Sequence, residues 1–275
     1  MRILNYSTKN SLIKFFIAIY ITLIVTFILA PNIIVLVMSF NRGKYFVFPP
    51  SNWSIKWFQN AVLIPSWREA FLNSIKLAFI TAFTSTALGI ITGLAIHRGR
   101  SRVRGALSSF FISPLLIPQL LLGIALLFFL GNLGLIGSFT PLFLGHVLVT
   151  FPFVLRLILS ALPTVPTNVE EAAYTLGADE ITTIIKITLP MIRSTVLSGW
   201  MFAFILSFDN LMISLFLTTV RVNTLPVKIL ETLEWEMDPT VAAVSSIFIF
   251  TSFVLMFILD RTVGLRFDTS SITRG

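Results

Sequence analysis

The chain reads as an all-α polytopic membrane protein with about six transmembrane helices, on three observations. Hydrophobic residues make up 56% of the 275 residues and charged residues only 12%, against roughly 25% charged in a water-soluble domain. Mean hydropathy is +0.92. Apolar runs long enough to cross a bilayer recur along the whole chain, separated by short polar connections that hold most of the charge. A chain spanning 1–275 is thereby filled by one helical membrane domain.

A spanning helix needs about 20 apolar residues, because a rise of 1.5 Å per residue then covers the roughly 30 Å hydrocarbon core. Six segments reach that length: 13–40, 71–96, 106–130, 139–162, 191–217 and 241–259. The first exceeds the roughly 7 to 15 residues of a signal-peptide h-region and lacks an A-x-A cleavage pattern, so it is expected to be retained. In the third and fourth, Pro114, Pro118 and Pro152 each remove a backbone donor. Either neighbouring helices absorb that loss or the prolines mark hinges.

Orientation follows from the loops. Arg98, Arg100, Arg102 and Arg104 crowd into "HRGRSRVRG" (97–105), which marks the cytoplasmic side. Both termini then fall on that side, in agreement with Arg2, Lys9 and Lys14 at the start and Arg261, Arg266 and Arg274 at the end. Segments 41–62 and 221–239 face outward, the first with Trp53, Trp57 and, shortly after it, Trp67 at headgroup level. Lys76, early in the second span, is placed to snorkel to that interface.

The excess of 20 Lys plus Arg over 12 Asp plus Glu is distributed between apolar runs rather than gathered in a patch. It is therefore read as topology, and no nucleic-acid partner is expected. The absence of Cys excludes a disulfide framework, thiolate metal sites and a Cys nucleophile. His97 and His146 are too few and too separated for a metal cluster, and read as boundary or packing residues.

One stretch breaks the apolar pattern: "EEAAYTLGADEITTIIKITLP", 170–190, on the same side as the arginine cluster. Thr167 followed by Glu170 fits a capping box that would start a short helix. Val169, Ala172, Ala173 and Leu176 fall at helical spacing along it, Gly177 supplies a left-handed stop, and Asp179 caps a second piece carrying Ile181, Ile184 and Ile185. Pro190 is expected to open the fifth span at a first-turn position. Two amphipathic helices this short are not stable alone in water. With Glu170, Glu171, Asp179 and Glu180 on the polar face they would be repelled by anionic headgroups, so a groove in another protein is the better place for the apolar stripe.

Glu171-Ala172-Ala173, three residues, Gly177, nine residues, Ile187, one residue and Leu189-Pro190 resembles the EAA loop of permease subunits in type I (MetI-like) ATP-binding-cassette importers. "SFN" at 39–41, 73–98, "SFDN" at 207–210, "TLPVKI" at 224–229 and "MDPTVAAVSSI" at 237–247 are similar to the spermidine/putrescine branch, so the likeness runs from residue 13 to about 261. The resemblance implies a bacterial inner-membrane location and a second homologous permease subunit. It further implies two copies of a cytoplasmic ATPase and an extracytoplasmic solute-binding protein. Glu170, Glu171, Ala172, Ala173, Leu176, Gly177, Ile187, Leu189 and Pro190, in a loop covering about 164–190, would be the coupling helix that docks into the ATPase. The chain holds no G-x-x-x-x-G-K-[ST] phosphate loop; it is expected to be no enzyme and to bind no cofactor, with ATP and Mg2+ at the partner ATPase.

Asp209 is the one carboxylate deep in an apolar segment, which marks either a cation contact or outer gate, or a hydrated residue at the outer mouth. Phe208, Asp209 and Asn210 are the candidates for the substrate path. Asn210 stands where polyamine-branch relatives often carry a second acid. Glu231, Glu234, Glu236 and Asp238 cluster in the outer segment, as a solvated face, a cation-steering patch or a contact for the binding protein. A polyamine is the expected cargo; an opine, amino-acid derivative, phosphonate or iron complex would use the same machinery. A stand-alone secondary transporter or channel would need internal repeats or several intramembrane acids.

Overall fold

A computed structural model describes residues 4–45, 47–99, 101–219, 222–235 and 238–263, and these are mostly helical. In order the helices are α1 (Leu4–Met38), α2 (Lys56–Leu63), α3 (Pro65–Arg98), α4 (Ser101–Ile112), α5 (Gln119–Asn132), α6 (Phe139–Ala161), α7 (Thr167–Thr175), α8 (Glu180–Thr183), α9 (Leu189–Met191), α10 (Arg193–Phe208), α11 (Leu211–Leu217), α12 (Leu225–Trp235) and α13 (Thr240–Val263). Among the described residues, four stretches are long and apolar enough to cross a membrane unaided: Ile13–Met38, Pro65–Arg98, Phe139–Thr164 and Thr240–Ile258. Two bent helix pairs make six if each is one span.

Those bends correct two expected spans. The segment 106–130 is not continuous: Pro114 falls in a 3-10 turn, Pro118 is the N-cap of α5, and the axes of Val103–Leu116 and Gln119–Asn132 differ by 98°. Two prolines four residues apart remove two donors of one turn, which is more than neighbouring side chains re-satisfy. The segment 191–217 is also divided. α10 has 16 residues, about 24 Å at 1.5 Å per residue, and the chain breaks at Asp209 and Asn210 before α11. Pro152, by contrast, lies inside an unbroken α6 and is buried.

The chain divides into two compact units, 1–64 with 232–250 and 65–231 with 251–275. In the first, Asn41 and Trp53 pair as an antiparallel bridge, and the Trp57 indole donates to the Asn41 carbonyl at 2.6 Å. Trp57 is therefore buried, at 6% exposure, and unavailable to a headgroup belt, whereas Trp53 is 68% exposed.

In the second unit α3, α6 and α10 pack mutually. α3 presents Ala78, Ala82, Ser85, Gly89 and Gly93 as a buried small-residue stripe, so that backbones approach closely without a solvent-driven hydrophobic term. The fit leaves no spare room: a Cβ on Gly93 would lie 2.6 Å from Ile158 Cγ2, and one on Gly89 would lie 2.8 Å from Val154 Cγ1. Gly93→Ala is therefore expected to destabilise the bundle by about 1–3 kcal/mol. Gly105→Ala, with open space around it, serves as the neutral control, and thermal unfolding in nanodiscs distinguishes them. Trp67, 3% exposed in the first turn of α3, is likewise buried rather than in the belt; its ring faces Lys228 Nζ at 5.8 Å. Lys76 lies over the Phe139 ring at 5.3 Å. A further core joins Leu77, Leu122, Leu142, Ile213 and Leu217, packing α11 against α5 and α6.

Candidate functional site

The polar island folds as two helices joined by a tight turn. α7 starts differently from the capping box: its N-cap is Pro166, whose side chain has no acceptor for a helix N–H, and Thr167 is already inside the helix. The Glu170 carboxylate does not reach back either. It accepts from Arg98 Nη2 at 3.2 Å and from the Thr188 hydroxyl. A charged donor from α3 outcompetes a local neutral cap for the same oxygen.

α7 ends in a Schellman turn. Gly177 sits at φ +87°, its N–H donates to Tyr174 O at 3.0 Å, and Ala178 N–H donates to Ala173 O at 3.0 Å. Asp179 then caps α8 as expected, accepting from Thr182 N at 3.1 Å. Hydrogen bonds from Thr182, side chain first and backbone second, hold its carboxyl below the ordinary aspartate value. The second piece runs on through a π turn (Ile184–Thr188) and α9 to Met191, then bends by 75° into α10 at Ile192. Pro190 consequently lies in α9 before the bend and does not open the fifth span; Arg193 does.

The predicted stripe divides between two faces. Ala173 is buried inward, beside Thr183 and Thr188, which are not part of it, whereas Val169, Ala172 and Leu176 are exposed, Leu176 at 89%. Ile181 and Ile185 are also exposed, and Ile184 is half-buried. Glu171 and Pro190 are exposed, Ile187 and Leu189 half-buried. The outward face thus gathers a carboxylate and several uncovered apolar side chains around the Gly177 turn, the composition of a surface that docks.

The second candidate region is the break between α10 and α11. Asp209 is the C-cap of α10 and is exposed, while its neighbours turn inward. Asn210 is 8% exposed; its Oδ1 accepts from Ile213 N at 2.9 Å and its Nδ2 donates to Gln119 Oε1 at 3.1 Å. Asn210 therefore joins the break in the fifth segment to the break in the third, since Gln119 is the first residue of α5. Phe208, 2% exposed, packs edge-on to Phe71 at 6.2 Å and stacks on Phe204 at 6.0 Å. Of the three, only Asp209 is exposed.

His146 has a larger part than packing filler. Fully buried on α6, it bonds Ser207 Oγ through Nδ1 at 2.8 Å and Ser214 Oγ through Nε2 at 3.0 Å, bridging both sides of the break. On the same helix Thr150 donates to His146 O at 2.8 Å and shares a 2.7 Å bond with Ser85 of α3. The signal was available in the sequence: "LSFDNLMIS" places Ser207 and Ser214 seven residues apart, so that a continuous helix would carry both on one face.

Of the acids in segment 221–239, Glu231 accepts from Asn223 Nδ2 at 2.8 Å, and Asp238 accepts from Thr240 N at 2.9 Å and Thr240 Oγ1 at 2.8 Å, at the start of α13. Glu236 lies outside the described residues. Glu231 also lines a polar cleft of about 480 Å³ with Ser66, Glu69, Asn73, Asn223 and Lys228, at the end of α3 away from Arg98. No group of His, Cys, Asp and Glu suited to a metal ion occurs among the described residues.

The family described as binding-protein-dependent transport system inner membrane component matches residues 85–265. The spermidine/putrescine transport system permease protein PotC of Haemophilus influenzae is 30% identical over 240 residues, covering 86% of this chain and 92% of that protein. The putrescine transport system permease protein PotI of Escherichia coli K12 is 29% identical over 262 residues, covering 91% and 93%. In three dimensions the chain resembles a subunit of a bacterial ABC transporter involved in the import of the acidic polysaccharide alginate. The TM-score is 0.69 at 15% identity, with 96% of this chain and 99% of that one covered, a likeness of fold alone.

Proposed function

Because the chain belongs to the family of binding-protein-dependent transport system inner membrane components, as a permease subunit of an ABC importer, we propose that it forms half of a polyamine translocation path, driven by a separate ATPase. The single observation that carries the coupling role is the island at 167–191. Two helices turned by Gly177 present Glu171, Ala172 and an uncovered Leu176 away from the bundle.

The partners of this reading are a second homologous permease, two copies of a cytoplasmic ATP-binding-cassette ATPase, and an extracytoplasmic solute-binding protein. The arginine cluster at 98–104 supports a cytoplasmic island with both termini on that side, in a bacterial inner membrane. ATP and Mg2+ belong to the ATPase, since this sequence has no phosphate loop. Closure of the ATPase pair draws the two coupling loops together. The displacement enters α10 through the bend at Ile192, and the path opens outward; hydrolysis resets it.

Spermidine or putrescine is the favoured cargo. The names of the two relatives support it, as does Asp209 exposed at the break between α10 and α11. Asn210 favours the rival reading of a less cationic solute, because it is buried and engaged by Gln119 and Ile213. Asp209→Asn is expected to lower uptake of labelled spermidine by about tenfold, the equivalent of one lost charge-assisted hydrogen bond of roughly 1.4 kcal/mol. Assembly with the ATPase should be unaffected. Wild-type uptake in that variant would leave Asp209 a hydrated bystander, and failure of spermidine and putrescine to be taken up at all would move the cargo to another solute.

A further inference from the structure

We infer that Arg98 is the positioning residue that clamps the coupling loop to the transmembrane bundle, making both of its helices one body with α3; this rests on reading 167–191 as the docking element. Arg98 is the last residue of α3. Its guanidinium donates through Nη1 to Glu180 Oε1 at 2.7 Å and through Nη2 to Glu170 Oε1 at 3.2 Å. Glu170 lies in the first turn of α7 and Glu180 in the first turn of α8. One planar fork therefore joins the starts of both helices, a geometry that a single ammonium cannot reproduce. The hydroxyl of Thr188, 2% exposed, donates to the same Glu170 oxygen and brings in the π turn as well.

The two arms differ in strength. Arg98 and Glu170 side chains are each 23% exposed, whereas Glu180 is 68% exposed. Water and salt screen the Glu180 arm far more, so the Glu170 arm holds the clamp. The adjacent carboxylates are thereby divided. Glu170 is engaged within the chain, and Glu171, exposed on the outward face, is left for the ATPase.

This matters for transmission because the covalent route is a compliant one. From α7 the chain passes a glycine turn, a π turn and a 75° bend before reaching α10. Arg98 bypasses all three. It delivers displacement to α3, which packs along both α6 and α10 and so moves the bundle core directly.

The test uses the transporter assembled with its ATPase in nanodiscs and two readouts: amide hydrogen exchange across 167–191, and ATP hydrolysis with and without spermidine-loaded cognate binding protein. Arg98→Ala should speed exchange in both helices several-fold and lower the stimulated-to-basal hydrolysis ratio by about fivefold or more. Arg98→Lys should fall between it and wild type. The exchanged pair, Arg98→Glu with Glu170→Arg, should recover most of both readouts, which loss of a merely structural contact would not allow. Should Arg98→Ala fail to assemble, Arg98→Lys and Glu170→Gln carry the same comparison. Unchanged exchange, faster exchange with an unaltered ratio, or no recovery in the exchanged pair overturns the clamp. Glu171→Lys separates the two levels: full stimulation in that variant defeats the docking reading itself, whereas its loss alongside a normal Arg98→Ala defeats only the clamp.

Discussion

Gly177→Pro is expected to abolish binding-protein-stimulated ATP hydrolysis in the assembled transporter while leaving the permease inserted and folded. Gly177 stands at φ +87° and its N–H closes the Schellman turn onto Tyr174 O at 3.0 Å. Proline confines φ to about −65° and has no N–H, so the turn cannot form, at a cost of about 3 kcal/mol or more confined to the loop. Gly177→Ala isolates the backbone component. Its Cβ would meet nothing within 4 Å, so only the left-handed penalty of about 1–2 kcal/mol applies, and partial coupling should survive. Glu171→Lys should match the proline variant by a different route, reversing the charge on an exposed face without altering the turn. Hydrolysis measured with and without loaded binding protein, beside a co-purification assay, checks all three. Coupled hydrolysis at the wild-type level in Gly177→Pro would remove the island from the mechanism.

His146→Ala is expected to have the largest effect on the bundle itself. The imidazole is 1% exposed and bridges Ser207 and Ser214 across the break in the fifth segment. Its removal opens a cavity worth about 2–4 kcal/mol by analogy with large-to-small core changes. Each lost hydrogen bond adds roughly 0.6–1.7 kcal/mol, the range found between membrane helices. At the average of about 0.6 kcal/mol per bond the two bonds together fall below the cavity term, which gives a way to separate the contributions. His146→Phe keeps most of the volume and loses both bonds, so it should cost less than His146→Ala, and Ser207→Ala less again at about 1 kcal/mol. Thermal unfolding in nanodiscs ranks the three. An order with His146→Phe as damaging as His146→Ala would place the stability in the hydrogen bonds instead.

Much of the loop is legible in the sequence. Gly177 and Asp179 were identified as stop and cap because their signatures are local: a residue tolerant of positive φ after an apolar run, and a carboxylate one residue before a helix. The role of Glu170 is not legible in the sequence, because its competing partner, Arg98, lies 72 residues away and no spacing rule reaches that far. The stripe at Val169, Ala172, Ala173 and Leu176 was similarly only half informative. Periodicity groups residues on one side of a helix, but whether that side meets the bundle or water depends on where Arg98 and Thr188 pull α7.

The amino-acid sequence by itself determined the solvent, the number and approximate position of the apolar segments, and a polar island of two turned helices, because transfer energy and capping act over one helix at a time. Tertiary structure decided where those segments break, at Pro118 and at Asp209 and Asn210. It also set which of Glu170 and Glu171 faces outward, and that His146, Gln119 and Arg98 are the bridging residues. The physical reason is that a broken membrane helix leaves polar backbone and side-chain groups that lipid cannot satisfy. Beside the local cap from Asn210, residues brought in from distant parts of the chain, His146 and Gln119, supply the missing partners.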